Sequence, residues 1–276
     1  MRSFLVFNDK SRRGAQNADL VRTTLRERGA ELIEDRGAVS AGTVDSVIAA
    51  GGDGTVISAV EAAISLRAPL GIIPLGTFND LARSFGLPAD VAQACRVATG
   101  SVTRTIDVGR VNGRFFVNEA SIGLSTRVAR RQTPEIKRRF GFLGIAGTTL
   151  QTLRQSRPFR AEVDYDGKTE YLRTIQLTIA NNAHFGGVID NPDAAIDDNR
   201  LDLYSIEVRN WLGVVAILRK LITHDPRSVS GLRMRGSARF TVRTRSPHHV
   251  SADGEPAGFT PATFEVLPRA LRVFVH

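Results

Sequence analysis

The sequence has a single cysteine, Cys95, among 276 residues. One thiol cannot close an internal disulfide or furnish a cysteine-based zinc cluster, and it fits a reducing compartment. Long apolar runs are also missing. The opening MRSFLVFNDK offers only about four consecutive apolar residues, too few for the apolar core of a secretion signal. The longest clean apolar stretch, Trp211 to Leu218, is broken by Gly213 and closed by Arg219 and Lys220, far short of the roughly 20 residues that span a bilayer. The expectation is a cytoplasmic protein that is not integral to a membrane. Internal repeats and low-complexity segments are absent. The five histidines (His184, His224, His248, His249 and His276) share no metal-ligand spacing and are read as structural or surface groups.

What is present is ordinary for a globular chain: 42% hydrophobic and 24% charged residues. The length suggests about two domains and allows a core that needs no structural metal. The net charge is +9, and 33 of the 37 basic residues are arginine. Such an excess favours polyanions in general, whether nucleic acid, anionic lipid or phosphorylated ligand. No recognition helix, RNP-like aromatic pair or zinc finger accompanies it, so no specific nucleic-acid partner is expected.

Along the first third, strands alternate with helices. Ser3 to Phe7, Glu31 to Glu34, Asp45 to Ala50 and Leu70 to Pro74 read as strands. Gln16 to Arg28, Thr55 to Leu66 and Asn79 to Phe85 read as helices. That alternation implies a parallel, doubly wound sheet. From Arg104 the β runs come without long helices between them: Thr105 to Val111, Arg114 to Glu119, Phe159 to Tyr165, Leu172 to Ala180, Leu201 to Val208, Arg239 to Thr244 and Phe264 to Val275. Asp166-Gly167 is a hairpin signal. Ser125 to Arg157 is basic and helical, and Trp211 to Thr223 is an amphipathic helix. The expected fold class is therefore α/β plus β: a doubly wound N-terminal domain over residues 1–106, then an antiparallel β-sandwich with helical insertions over 107–276.

The strongest chemical signal is Gly51-Gly52-Asp53-Gly54-Thr55, between a strand and a helix. A glycine-rich turn lets the backbone approach a phosphate, and the helix N-terminus contributes N–H groups and a favourable dipole. No Gly-Lys-Ser/Thr follows, and Ile57 stands where a dinucleotide fingerprint needs its third glycine, so both of those motifs are excluded. Pro74-Leu75-Gly76-Thr77-Phe78-Asn79-Asp80 repeats the arrangement after the next strand. Thr77, Asn79 and Asp80 can all face the crevice at the C-terminal edge of the sheet, where ligands of open α/β sheets bind.

This pair of motifs resembles the catalytic domain of the soluble diacylglycerol kinase and sphingosine kinase superfamily of lipid kinases. Three further segments agree in order: Thr105-Ile106-Asp107-Val108-Gly109, the acidic stretch Asn191 to Asp202, and Ser251-Ala252-Asp253-Gly254-Glu255. The resemblance implies a first domain similar to NAD kinase and phosphofructokinase, with ATP in the cleft before a β-sandwich. It implies that Gly51, Gly52, Asp53, Gly54, Thr55, Val56 and Ile57 hold the phosphates. Thr77 and Asn79 would lie on the nucleotide, and Asn8, Asp9, Lys10 and Ser11 would form the first-strand phosphate loop. Asp53, Asp80 and Asp107 would support catalytic Mg²⁺ through a carboxylate and water network. Asp198 would bind a second, structural Mg²⁺, with the backbone carbonyls of Ala195 and Arg200. Glu255 would be the general base on the lipid hydroxyl, with Asp53 as the rival base.

Three positions depart from the family pattern. Asn8-Asp9 replaces Asn-Pro, Asp197-Asp198-Asn199 replaces Asp-Asp-Gly, and no counterpart of a nucleotide-contacting Thr stands between Glu34 and Asp45. Asn tolerates the left-handed backbone that the replaced glycine would adopt.

The expectation is thus an ATP- and Mg²⁺-dependent lipid kinase acting on diacylglycerol or a related lipid alcohol, peripheral at the inner membrane face. The alternatives are an NAD kinase-like enzyme and an inactive nucleotide-binding regulator. Arg127, Arg130, Arg131, Lys137, Arg138 and Arg139 form either a solvated helix face or, with the neighbouring apolar run Phe140 to Leu150, a contact with an anionic leaflet. A homodimer is compatible with the sequence.

Overall fold

The computed structural model describes residues 1–77, 79–131, 151–181, 184–185, 189–190, 195–208, 211–221 and 229–276. It forms two compact units, Met1–Val108 with Leu267–His276, and Gly109–Val266.

The first unit opens with β1 (Arg2–Phe7), α1 (Arg12–Glu27), β2 (Glu31–Ile33), β3 (Ser46–Gly51), α2 (Asp53–Leu66) and β4 (Leu70–Pro74). Then come α3 (Asp80–Ser84), α4 (Val91–Ala98) and β5 (Thr103–Val111). Strand β1 lies between β2 and β3, and β3 pairs with β4, all in parallel. SVIAAG and LGIIP are buried along their whole length, as central parallel strands covered on both faces must be. Helix α1 starts four residues earlier than its hydrophobic pattern suggests, because the Ser11 side chain caps it by accepting from the Gly14 N–H at 3.0 Å. Helix α4, which the sequence pattern did not reveal, is capped by Asp90, which accepts from Gln93 N–H at 2.9 Å. Leu5, Val21, Leu25, Ile48, Ile73 and Ala94 form the core of this layer.

The second unit contains β6 (Arg114–Phe116), β7 (Glu119–Gly123), α5 (Leu124–Arg131), β8 (Phe159–Tyr165), β9 (Lys168–Thr174) and β10 (Gln176–Ala180). Two short strands follow, β11 (His184–Phe185) and β12 (Ile189–Asp190), then β13 (Leu201–Ile206) and α6 (Trp211–Leu221). The chain ends with β14 (Leu232–Ser237), β15 (Arg239–Thr244), β16 (His249–Ala252), β17 (Glu255–Phe259) and β18 (Ala262–Phe274). One sheet runs β14-β13-β10-β7-β16-β17 and is antiparallel. Facing it, β9 pairs with β8, β8 with β15, and β15 with the start of β18, again antiparallel. Phe116, Ile122, Val163, Leu177, Leu203, Phe240 and Phe264 interlock between the layers. This is the antiparallel sandwich that the run of strands implied.

Two apolar runs break where single strands were expected. Leu172 to Ala180 divides at Ile175, whose N–H bonds Ile206 O at 2.9 Å, and the chain passes from one layer to the other. Arg114 to Glu119 divides at a corner over Val117 and Asn118. The Asp166-Gly167 hairpin is present, with φ of 46° and 72°, and the central residues of a type I′ turn share that positive sign. Within the basic stretch, residues 132–150 lie outside the described residues. This includes Lys137, Arg138, Arg139 and the apolar run after them; α5 covers Arg127, Arg130 and Arg131.

Candidate active site

Three loops meet at the C-terminal ends of β1, β3 and β4. The first holds Asn8 to Ser11, where the Asn8 N–H donates to Ala50 O at 3.1 Å and the Ser11 hydroxyl to Asn8 O at 3.3 Å. Asp9 and Lys10 are exposed. The second loop is Gly51 to Ile57. Gly52 precedes α2 with no side-chain cap, and Thr55 and Val56 turn their N–H groups back to Gly52 O. The third loop, Leu75 to Asn79, is tied to the second by Leu75 N–H on Gly51 O at 2.8 Å.

The second and third loops touch through glycine. A Cβ on Gly52 would lie 3.2 Å from Gly76 Cα, and a Cβ on Gly76 would lie 2.5 Å from Gly52 Cα. Only glycine allows that approach. Asn79 then locks the pair. Its side chain accepts from Gly76 N–H at 2.9 Å and donates to Gly76 O at 3.0 Å, while its own N–H donates to the Asp53 carboxylate at 3.1 Å. Asn79 manages this at φ 52°, the left-handed conformation that Asn accepts more readily than most residues. Arg13, which no motif marks, donates to Gly76 O at 3.1 Å from the first turn of α1. It brings a guanidinium group to the third loop. The only trace of it in the sequence is the Arg12-Arg13 pair directly after the Ser11 cap. Thr77 is exposed beside this assembly. Asp80 opens α3, and its side chain lies outside the described residues.

Asp107 is 1% exposed in β5, and its carboxylate accepts from Arg269 N–H at 2.7 Å. Among the described residues no group of three or more His, Cys, Asp or Glu side chains is placed to hold a metal ion, so Asp53 and Asp107 are not joined in such a group.

In the second unit, Asp253-Gly254 forms the turn between β16 and β17, with φ of 45° and 86°. The Asp253 carboxylate accepts from three consecutive backbone N–H groups: Val117 at 2.7 Å, Asn118 at 3.0 Å and Glu119 at 2.9 Å. It thereby fixes the corner between β6 and β7. Burial pushes its pKa up to about 6, against the three N–H groups that favour the charged form. Glu255, the next residue but one, is exposed at the start of β17. Asp198 closes its own loop by accepting from Ala195 N–H and Arg200 N–H, each at 3.1 Å. Asn199 takes φ 60°, so the turn of the replaced glycine survives.

Comparison with known proteins agrees with this architecture. A family model described as the diacylglycerol kinase catalytic domain matches residues 3–111, and one described as the YegS C-terminal NAD kinase beta sandwich-like domain matches 118–275. A protein named diacylglycerol kinase from Bacillus subtilis strain 168 is 30% identical over 234 residues, covering 83% of this chain and 77% of that protein. The crystal structure of a diacylglycerol kinase from Bacillus anthracis strain Sterne superposes with a TM-score of 0.78 at 24% identity, covering 100% of this chain and 97% of that one. A second crystal structure from the same strain gives 0.80 at 25% identity, covering 100% and 95%. The chain belongs to the diacylglycerol kinase catalytic-domain family of lipid kinases, and it is a phosphotransferase. No helix among the described residues is long and apolar enough to cross a membrane.

Proposed function

We propose that this lipid kinase transfers the γ-phosphoryl group of ATP to the hydroxyl of diacylglycerol or a closely related lipid alcohol, with Mg²⁺ as the metal. The observation that carries the reading is the Gly52–Gly76 contact locked by Asn79 and Asp53. It leaves the uncapped N-terminus of α2 between two backbone loops. Such a site attracts phosphate through backbone N–H groups and the helix dipole. Arg13, anchored on Gly76 O, adds positive charge at the same loops.

Phosphoryl transfer is catalysed mainly by positioning and by charge stabilisation. The loops would hold the phosphates still, because Leu75 N–H on Gly51 O and the Asn79 side chain on Gly76 fix them to one another. Mg²⁺ takes one or two carboxylates directly and keeps several waters, so it needs no three-carboxylate cluster. Asp53, already aimed at the loops by the Asn79 N–H, suits that role, with Asp80 and Asp107 as its outer support. When bound, the metal neutralises charge that develops on the phosphates. The oxygens of Asp198 and the carbonyls of Ala195 and Arg200 are hard donors suited to a second, structural Mg²⁺.

Glu255 is the general base for the lipid hydroxyl. It begins β17 immediately after a turn pinned by three N–H bonds, so its backbone position is fixed while its side chain remains accessible.

The test is transfer of radiolabelled γ-phosphate from ATP with Mg²⁺ to diacylglycerol, monoacylglycerol, sphingosine and ceramide in mixed micelles, with NAD in parallel. Labelled diacylglycerol that disappears with Glu255→Gln is the expected result. Label in NAD alone overturns the reading.

A further inference from the structure

We infer that the outer face of β8, β9 and β15 docks on an anionic bilayer surface. The inference rests on the lipid-kinase reading above, since a lipid acceptor is lodged in such a surface. In these strands Ala161, Val163, Leu172 and Val242 are buried in the sandwich core. Alternation turns Arg160, Glu162, Asp164, Tyr171, Arg173 and Arg243 the other way.

The charges on this face sort into two groups. Arg243 binds Glu162 at 2.9 Å and also pairs with Asp164, which in addition accepts from the Thr169 hydroxyl at 2.7 Å. The acidic groups of β8 are thereby engaged. Arg160, Arg173 and Arg245 are exposed, and they make no ion pair among the described residues. Arg160 and Arg173 stand directly opposite each other across the β8–β9 ladder. Like charges so placed repel and destabilise a sheet. An external anion removes that cost.

The three arginines surround a shallow depression of about 590 Å³, which Tyr171 also lines. Tyr171 is 79% exposed, more than any other large hydrophobic side chain described. A tyrosine ring is amphipathic and settles at the headgroup level of a membrane. β9 is the last strand in its sheet, and no strand among the described residues pairs with its outer edge. The surface is a sheet face with a cationic corner and one projecting aromatic. That shape meets a plane of phosphate headgroups better than it would enclose a single ligand.

The experiment is co-sedimentation of the full chain with vesicles of phosphatidylcholine, alone or with one third phosphatidylglycerol. The variants are Arg160→Gln/Arg173→Gln/Arg245→Gln and Tyr171→Ser, with thermal melts as the check on folding. Each basic residue near such a surface contributes about five-fold in binding, so the triple variant should bind phosphatidylglycerol vesicles about a hundred-fold more weakly. Tyr171→Ser should weaken binding to a smaller extent. Kinase activity of both on a short-chain diacylglycerol in free solution should match the parent protein. Unchanged vesicle binding by the folded triple variant overturns the docking face. So does a triple variant that loses binding to duplex DNA while keeping vesicle binding, which would make the patch a nucleic-acid surface. Absence of activity in the parent protein on the short-chain substrate instead overturns the kinase reading, and the two failures are thereby separate.

Discussion

Gly52 and Gly76 stand so close that a methyl group on Gly76 would lie 2.5 Å from the Cα of Gly52. Neither residue has a positive φ, so it is space between two backbones, not a special conformation, that requires glycine here. Gly76→Ala must push the two loops apart. Overpacking of this kind costs about 1–3 kcal/mol. The expected outcome is a lower melting temperature and a larger loss of ATP affinity than the stability change alone explains. Calorimetric binding of ATP beside a thermal melt checks it, and unchanged affinity counts against the loops as the phosphate site.

Asp53 and Glu255 should separate by their side effects. Asp53→Asn keeps an oxygen for the Asn79 N–H but removes the charge. Activity should fall by about 10² or more, with a melting temperature near that of the parent. Asp53→Ala also removes the acceptor and should cost about a further 1 kcal/mol of stability. Glu255→Gln should lower kcat by about 10²–10⁴ while leaving both stability and the KM for ATP alone, because the side chain is exposed and outside the glycine loops proposed to hold the phosphates. Steady-state kinetics at fixed lipid mole fraction read all three.

Glu170 sets a stability term at low pH. Partial burial pushes its carboxyl up. Hydrogen bonds from Arg235 and Tyr165, with the charges of Arg235 and Arg233, outweigh that and hold it at about 2. Its ordinary value is 4.5, so the fold binds this proton less tightly than the unfolded chain does. The contribution is present above pH 4.5 and is lost as pH falls through about 2. Urea melts of Glu170→Gln against the parent should diverge above pH 4.5 and converge in acid.

Asp253 should act with the opposite sign. Burial carries its carboxyl from 3.8 up to about 6 in the folded chain. The folded state therefore holds that proton more tightly, and the stabilisation is complete below pH 3.8 and gone once pH has risen through about 6. Relative to Asp253→Asn, the parent should lose stability between those values. A parent that gains stability there would mean that the three N–H bonds from Val117, Asn118 and Glu119 dominate over burial.

The parallel layer was legible because its strands are continuous apolar runs and its turns are glycine-rich. SVIAAG before GGDGT and LGIIP before LGT each announce a strand, a tight turn and a helix in one stretch. The sandwich was legible only as a count of β runs. β14, LRMRGS, is a half-exposed edge strand that alternates over only four residues, and β17 contains both Pro256 and Gly258. The division at Ile175 has no local sign, since residues on both sides are buried and a layer change leaves hydrophobicity unaltered. Asp253 is recognisable as a turn residue from its neighbour Gly254, but the N–H groups it fixes are 134–136 residues away in sequence. That Arg160, Arg173 and Arg245 make no ion pair among the described residues depends on which acidic side chains Arg243 takes, and that requires the strand register.

Strand β18 begins beside β15, and its Val273 pairs in parallel with Leu70 of β4. The first compact unit is completed by residues 267–276, although its other residues end at Val108. During synthesis on the ribosome, β4 emerges beside β3 but long before its second parallel neighbour, β18, exists. The glycine loops at the ends of β3 and β4 are therefore made early, on a sheet whose edge waits for the rest of the chain. An arrested nascent chain that stops before Leu267 should present this open edge to chaperones, and release of the C-terminal strand is the event that closes it.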